Sequence, residues 1–206
     1  DRALFWEVTS AKTPAEHATV YLLGSIHFAD SSFYPLRAAI EDAFDRSDYL
    51  VVELDVNKTD SRIYHQLLTE KGVYQDGRTI KDELSAETWQ QLNQRLRYLN
   101  IDYESIKRYK PGILVLTLSA AQVMRMGFDP QLGIDAHFLA MASRQGQQKK
   151  ILEFESLEQQ LDLFLEVPDA ELLLKETLYS LDESEALMAD IVRYWKQGDI
   201  EQMNKL

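Results

Sequence analysis

The chain has 206 residues, 45% hydrophobic and 27% charged, a globular composition long enough for one large domain or two small ones. Thirty-four acidic residues against twenty-two basic give a net charge of −12, which repels nucleic acid and anionic lipid; neither Lys107, Arg108, Lys110 nor Lys149, Lys150 is a patch large enough to reverse that. With no Cys, a disulfide scaffold, thiolate catalysis and Cys-ligated zinc are all excluded.

The chain opens at Asp1 with no Met, basic segment or apolar signal core, which reads as a mature, processed terminus or an artificial boundary. Leu4-Phe5-Trp6-Glu7-Val8 and Thr19-Val20-Tyr21-Leu22-Leu23 are β-branched and aromatic, with a turn around Lys12-Thr13-Pro14. They predict a hairpin ended by Gly24. A helix follows with Pro35 in its first turn and Leu36, Ala39, Ile40, Ala43 and Phe44 on one face. Tyr49-Leu50-Val51-Val52 predicts a strand covered on both faces, stopping at Glu53.

From Thr59 to Gly146 the pattern is helical, with Trp89, Leu92, Leu96 and Leu99 as one stripe. Pro111 opens an apolar helix ending at Met126, with Gly127 as a left-handed cap. The greasiest run, Ile113–Leu118, soon meets Gln122 and Arg125, so it is no membrane span. Asp135 stands where an N-cap would, before a helix closed by Gly146. Ile151-Leu152-Glu153-Phe154 returns to strand, and Ser156 with Gln159 predicts a capping box. Beyond Pro168 the chain reads as helical, with Leu187, Ile191 and Trp195 on one apolar face and a break at Gly198. The expected fold is α/β: a mainly parallel sheet, an N-terminal β-hairpin as its antiparallel edge, and a helical insertion over about 59–146 within a single domain, 1–206.

Three strands end in chemistry. The second runs into Gly24-Ser25-Ile26-His27, the third into Glu53 and the fourth into Glu155. Ligands of open α/β sheets bind outside the carboxyl ends of strands, so parallel neighbours would bring one imidazole and two carboxylates to one rim. Those are ligands for zinc or manganese and also the usual general acids and bases. Taken singly, such a Glu is ordinarily a solvated loop residue, and such a His a loop hydrogen-bonder. Asp55 reads either as a second ligand or as a turn former, Asp135 as a cap, and Glu153 as a strand residue facing a covering helix. His17, His65 and His137 read as structural or solvated.

These residues resemble a known family. Leu4-Phe5-Trp6-Glu7-Val8, Tyr21-Leu22-Leu23-Gly24-Ser25-Ile26-His27 and Tyr34-Pro35-Leu36 resemble the opening of the TraB/GumN family. Val51-Val52-Glu53-Leu54-Asp55 resembles its second signature, and Gly133-Ile134-Asp135 with His137-Phe138-Leu139 its third. Phe154-Glu155-Ser156 through Leu161 and Trp195 with Gly198-Asp199 resemble later segments. The resemblance implies kinship with Tiki metalloproteases and, more remotely, with erythromycin esterase and ChaN-like folds. It makes His27, Glu53 and Glu155 the catalytic and metal-binding residues, one of the acids serving as base. It also implies export to the periplasm or cell surface.

The family's second Gly-x-x-His and its late Arg-Asn pair are absent, which reads as truncation before the last strands or as degeneration. The function expected is a metal-dependent, peptidase-like hydrolase using zinc, manganese or cobalt to activate water on a peptide or small-molecule substrate. Two alternatives stand beside it: a non-catalytic protein binding a peptide, pheromone or polysaccharide, and a metal-free esterase with His27 as base.

Overall fold

Thirteen regular elements follow one another in a computed structural model that describes residues 3–9, 19–58, 61–144, 149–165 and 169–206. They are β1 (Phe5–Thr9), β2 (Thr19–Leu23), α1 (Ala38–Arg46), β3 (Tyr49–Val52), α2 (Ser61–Lys71), α3 (Ala86–Leu99) and α4 (Tyr103–Ile106). Then come α5 (Pro111–Arg125), α6 (Ile134–Ala142), β4 (Lys150–Glu153), α7 (Leu157–Leu165), α8 (Ala170–Gln197) and α9 (Ile200–Met203). Single 3₁₀ turns lie at Ser31–Phe33, Ile80–Glu83 and Pro130–Leu132. The expected turn at Lys12-Thr13-Pro14, His17, the closing Gly146 and the Pro168 boundary lie outside the described residues.

The fold is mixed α/β and mostly helical. β1 and β2 pair antiparallel from Phe5↔Leu23 to Thr9↔Thr19, the expected hairpin pairing. β3 and β4 pair in parallel, Lys150 donating to Asp48 and Phe154 to Val52. Among the described residues β2 therefore lies in a different sheet from β3 and β4, and the expected mainly parallel sheet is present as the β3–β4 pair alone. Nor is β3 covered on both faces: Val52 is buried while Tyr49 and Val51 are exposed. Its side chains alternate inward and outward, as a sheet of two strands with one covered face requires.

The chain divides into two compact units, Asp1–Leu50 with Asp129–Lys150 and Glu185–Leu206, and Val51–Phe128 with Ile151–Ser184. In the first, Ile40, Ala43 and Phe44 of α1 are buried as the sequence spacing predicts, and Leu36 is buried ahead of the helix, but Ala39, expected on the same face, is exposed. Phe44 packs on Phe138 of α6 at 4.9 Å between ring centroids, and Phe33 on Trp195 at 5.2 Å. Pro35 does not open α1, which starts three residues later with Arg37 as its extended N-cap. Pro35 instead follows a cis peptide bond from Tyr34.

The second unit is held by Leu92 and Leu96 of α3, Leu114 and Leu118 of α5, and Leu174, Leu178 and Leu181 of α8, packed around Ile80 and Ile106. Pro111 is the first residue of α5, and Gly127 at φ +91° ends it in the left-handed region only Gly adopts freely. Ser156 and Gln159 form the expected box: the Gln159 carboxamide accepts from Ser156 N–H at 2.8 Å, and the Ser156 hydroxyl from Gln159 N–H at 3.2 Å. Among the described residues no helix is long and apolar enough to cross a membrane. At 28 residues α8 has the length, but Lys175, Asp182, Glu183 and Glu185 interrupt it.

Candidate active site

In the first unit, the loop after β2 is fastened at four backbone points. Gly24 N–H donates to Leu4 O at 2.8 Å, and the Trp195 indole N–H donates to Gly24 O at 2.8 Å. Further on, Ile134 N–H donates to Ile26 O at 2.9 Å, and Ala29 and Asp129 exchange both their hydrogen bonds. Gly24 is small because Leu4 presses on it, a Cβ there meeting the Leu4 Cβ at 3.1 Å.

Gly133 serves the same loop from the other side. A Cβ on it would stand 2.4 Å from the His27 carbonyl oxygen, so only glycine lets the start of α6 lie against His27. Tyr34 braces that start, its hydroxyl donating to Leu132 O at 2.6 Å. Burial, and then the charge of Asp135, push the Tyr34 phenol up to about 12, so it remains a neutral donor.

These contacts bring Asp135 to His27. Oδ1 of Asp135 is 3.2 Å from Nδ1 of His27 and 3.3 Å from the Ser25 hydroxyl, which donates to it. Asp135 lies in the first turn of α6 behind Gly133, which is the N-cap; its expected role as the cap is corrected to partner of His27. Burial pushes the Asp135 carboxyl up. The hydrogen bond and charge of His27, with its own backbone N–H and the Ser25 hydroxyl, outweigh that and hold it below the ordinary carboxylate range. An ionised carboxylate only accepts, so Nδ1 of His27 is the donor, and neutral His27 carries its lone pair on Nε2. The His27 side chain is 58% exposed.

Glu53 and Glu155 belong to the second unit. Glu53 follows directly on β3 and Glu155 stands two residues beyond the end of β4; Glu155 N–H donates to Glu53 O at 3.0 Å, which puts the two residues side by side. Asp55 is a turn former: it is 2% exposed, accepts from Asn57 N–H at 3.1 Å and faces Lys58 at 3.4 Å. Glu153 does not face a covering helix; its carboxylate accepts from Asp55 N–H at 3.0 Å and lies 3.9 Å from Lys58. His65 is exposed on α2 beside Tyr64. His137 packs 4.7 Å from Tyr34 and 5.2 Å from Phe138, with Nε2 buried and lacking a hydrogen-bond partner. Burial lowers its pKa, Glu41 opposing and Arg144 adding to the shift, which suits the structural role expected of it.

Imidazole and carboxylate are the right kinds of donor for zinc, manganese or cobalt, and a carboxylate behind Nδ1 is how metal-ligating histidines are oriented. The number falls short. Among the described residues no three of His, Asp or Glu are gathered as around an ion, whereas a catalytic zinc uses about three protein ligands.

Sequence reasoning named His27 but missed Asp135 and Trp195 as its supports. The signal for Asp135 was its place just behind a glycine at a helix start, inside a segment already singled out. Nothing in local periodicity points from Trp195 to Gly24.

A sequence model of the TraB/PrgY/gumN family matches residues 4–206. The chain is 26% identical to YbaP of Escherichia coli (strain K12), described as an uncharacterized protein, over 176 residues, 85% of this chain and 63% of YbaP. YbaP of Shigella flexneri matches with the same figures: 26% over 176 residues, 85% and 63%. The chain thus spans less than two thirds of the length of these curated relatives. No solved structure gives a significant match.

Proposed function

We propose that this chain, which belongs to the TraB/PrgY/gumN family, is a hydrolase whose working group is His27. The observation that carries the proposal is the 3.2 Å approach of Asp135 Oδ1 to His27 Nδ1. An exposed imidazole, fixed in one tautomer by an ionised carboxylate, is suited to moving a proton at Nε2. Water attacks the scissile carbonyl and gives its proton to Nε2. The imidazolium, balanced by Asp135, then delivers that proton to the leaving oxygen or nitrogen as its bond to the carbonyl carbon breaks.

In its narrower form the proposal is a metal-dependent, peptidase-like hydrolase, exported to the periplasm or cell surface, in which Nε2 of His27 would ligate the ion instead of carrying the proton, one of Glu53 and Glu155 would be a second ligand and the other the general base. The family match supports this form, and so does the carboxylate behind His27.

The test is turnover of activated esters and of a peptide mixture, with zinc, manganese or cobalt added and with chelator. His27→Ala should abolish turnover, and Asp135→Asn should lower it by about 10²–10⁴-fold, the usual worth of positioned acid–base catalysis. Glu53→Gln and Glu155→Gln read the roles of the acids, and dependence on an added ion supports the narrower form. Turnover unchanged by His27→Ala overturns the proposal. Ligand capture without turnover that survives His27→Ala favours a binding protein instead.

A further inference from the structure

The segment Tyr34-Pro35-Leu36 takes no part in the proton step. Leu36 is buried in the first unit, and Tyr34 lies half-buried against the start of α6. The Tyr34 hydroxyl donates to Leu132 O at 2.6 Å, with Gly133 O further off at 3.4 Å. Its ring packs on that of His137, 4.7 Å between centroids and tilted by 37°. Tyr34 therefore touches both ends of one helical turn. Leu132 stands just ahead of the N-cap Gly133, and His137 closes the turn, its N–H donating to Gly133 O at 2.9 Å.

Asp135 stands inside that turn, so a shift of the turn moves Oδ1 relative to Nδ1 of His27, 3.2 Å away. The first turn of a helix has N–H groups without intrahelical partners, and helix ends fray. A Ser, Thr, Asp or Asn at the N-cap ordinarily holds it with a side-chain oxygen. Residue 133 has none to offer, because only glycine fits against the His27 carbonyl. Tyr34 holds the turn from outside instead.

Phenylalanine would supply the ring contact but not the bond to Leu132 O. Burial, then the charge of Asp135, keep the phenol neutral with a pKa of about 12, so the hydroxyl donates throughout the working pH range.

We propose that Tyr34 is a positioning residue of the hydrolytic site: bridging Leu132 O and the His137 ring, it fixes the turn that carries Asp135 and so holds Oδ1 against Nδ1 of His27. The inference rests on the reading of His27 and Asp135 as the working pair.

The experiment compares the unaltered chain with Tyr34→Phe and His137→Leu, reading the ¹⁵N ring signals of His27 and the pH profile of ester turnover. In Tyr34→Phe the proton of neutral His27 should become divided between Nδ1 and Nε2. The kcat should fall about tenfold with KM nearly unchanged, as expected when a reacting group is misplaced rather than removed. The acid limb of the profile should move to lower pH, because an imidazolium without a fixed carboxylate gives up its proton more readily. His137→Leu removes the ring contact and leaves the hydroxyl bond, so it should move the same readouts the same way by less. It keeps the test decisive where Tyr34→Phe does not fold. Lower urea midpoints with the His27 tautomer and the acid limb unchanged would make Tyr34 a purely structural support and overturn the proposal. A tautomer unmoved while turnover depends on His27 overturns this inference and leaves the hydrolase reading standing. A tautomer displaced by Tyr34→Phe, with turnover that survives His27→Ala, supports this inference and overturns the hydrolase reading.

Discussion

Gly133 and His27 meet backbone to backbone: a Cβ on residue 133 would lie 2.4 Å from the His27 carbonyl oxygen, closer than any real Cβ contact. The φ of Gly133 is −57°, so what the position demands is space and not an unusual conformation. Gly133→Ala should therefore push His27 away from Asp135 and lower turnover at least tenfold, at an overpacking cost of about 1–3 kcal/mol. Gly77 is the control. It stands at φ +86° with nothing within 4 Å, so Gly77→Ala should cost about 1 kcal/mol in backbone strain and leave turnover unchanged. Urea unfolding and ester turnover on both variants check this.

Trp195 is 8% exposed, and its indole N–H is the side-chain donor to Gly24 O. Trp195→Phe keeps most of the ring but leaves that carbonyl short of a partner, which should cost about 1–3 kcal/mol. Hydrogen exchange should show faster opening of the amides from Gly24 to His27, with little change at Leu92 and Leu96. Protection unchanged at Gly24 to His27 would remove Trp195 from the support of the site.

What was legible in the sequence was local. The Leu92 and Leu96 stripe, Pro111 at the head of α5, the turn at Gly127 and the Ser156–Gln159 box each follow from residues within a turn or two of each other. The hairpin pairing of β1 and β2 is legible for the same reason. His27 was legible as a strand-end residue, but its partner was not. Asp135 reaches it through Gly133 packing on a loop far away in sequence, and no hydrophobic period encodes such a pair. Pro35 misled because its fixed φ suits a helix start, whereas Arg37 is the residue that caps α1. Glu153 misled because its partners, Asp55 and Lys58, come from the turn after another strand.

Gly112 sets the spacing of α5 and α7 in the second unit. A Cβ there would fall 1.6 Å from the Phe164 carbonyl oxygen. Gly112→Ala should lower stability by about 3 kcal/mol, at the upper end for an overpacked core. A shift in the urea midpoint smaller than that of Gly77→Ala would show that the two helices part at little cost.

Glu171 ties the start of α8 to the start of α3. Its carboxylate accepts from the Thr88 hydroxyl at 2.6 Å, and from Ser85 N–H at 2.9 Å and the Ser85 hydroxyl at 2.7 Å. The Thr88 and Ser85 bonds, against some burial and with help from Lys175, lower its pKa from 4.5 to about 2. A carboxyl depressed in the folded state adds stability that is fully present above its unfolded pKa and is lost as pH falls through the folded one. The contribution should hold at pH 5 and fade towards pH 2. Glu171→Gln should flatten this acid limb in a pH series of urea midpoints; an unchanged limb would assign the loss to other carboxylates.

The most direct test of the account is the tautomer of His27, read from the ¹⁵N shifts and one-bond couplings of its ring near neutral pH. Asp135 as an ionised acceptor requires the proton of neutral His27 on Nδ1 and the lone pair on Nε2, and Asp135→Ala should move the proton towards Nε2. A ring protonated on Nε2 in the unaltered protein, and indifferent to Asp135→Ala, would contradict the pairing on which the proposed hydrolytic site rests.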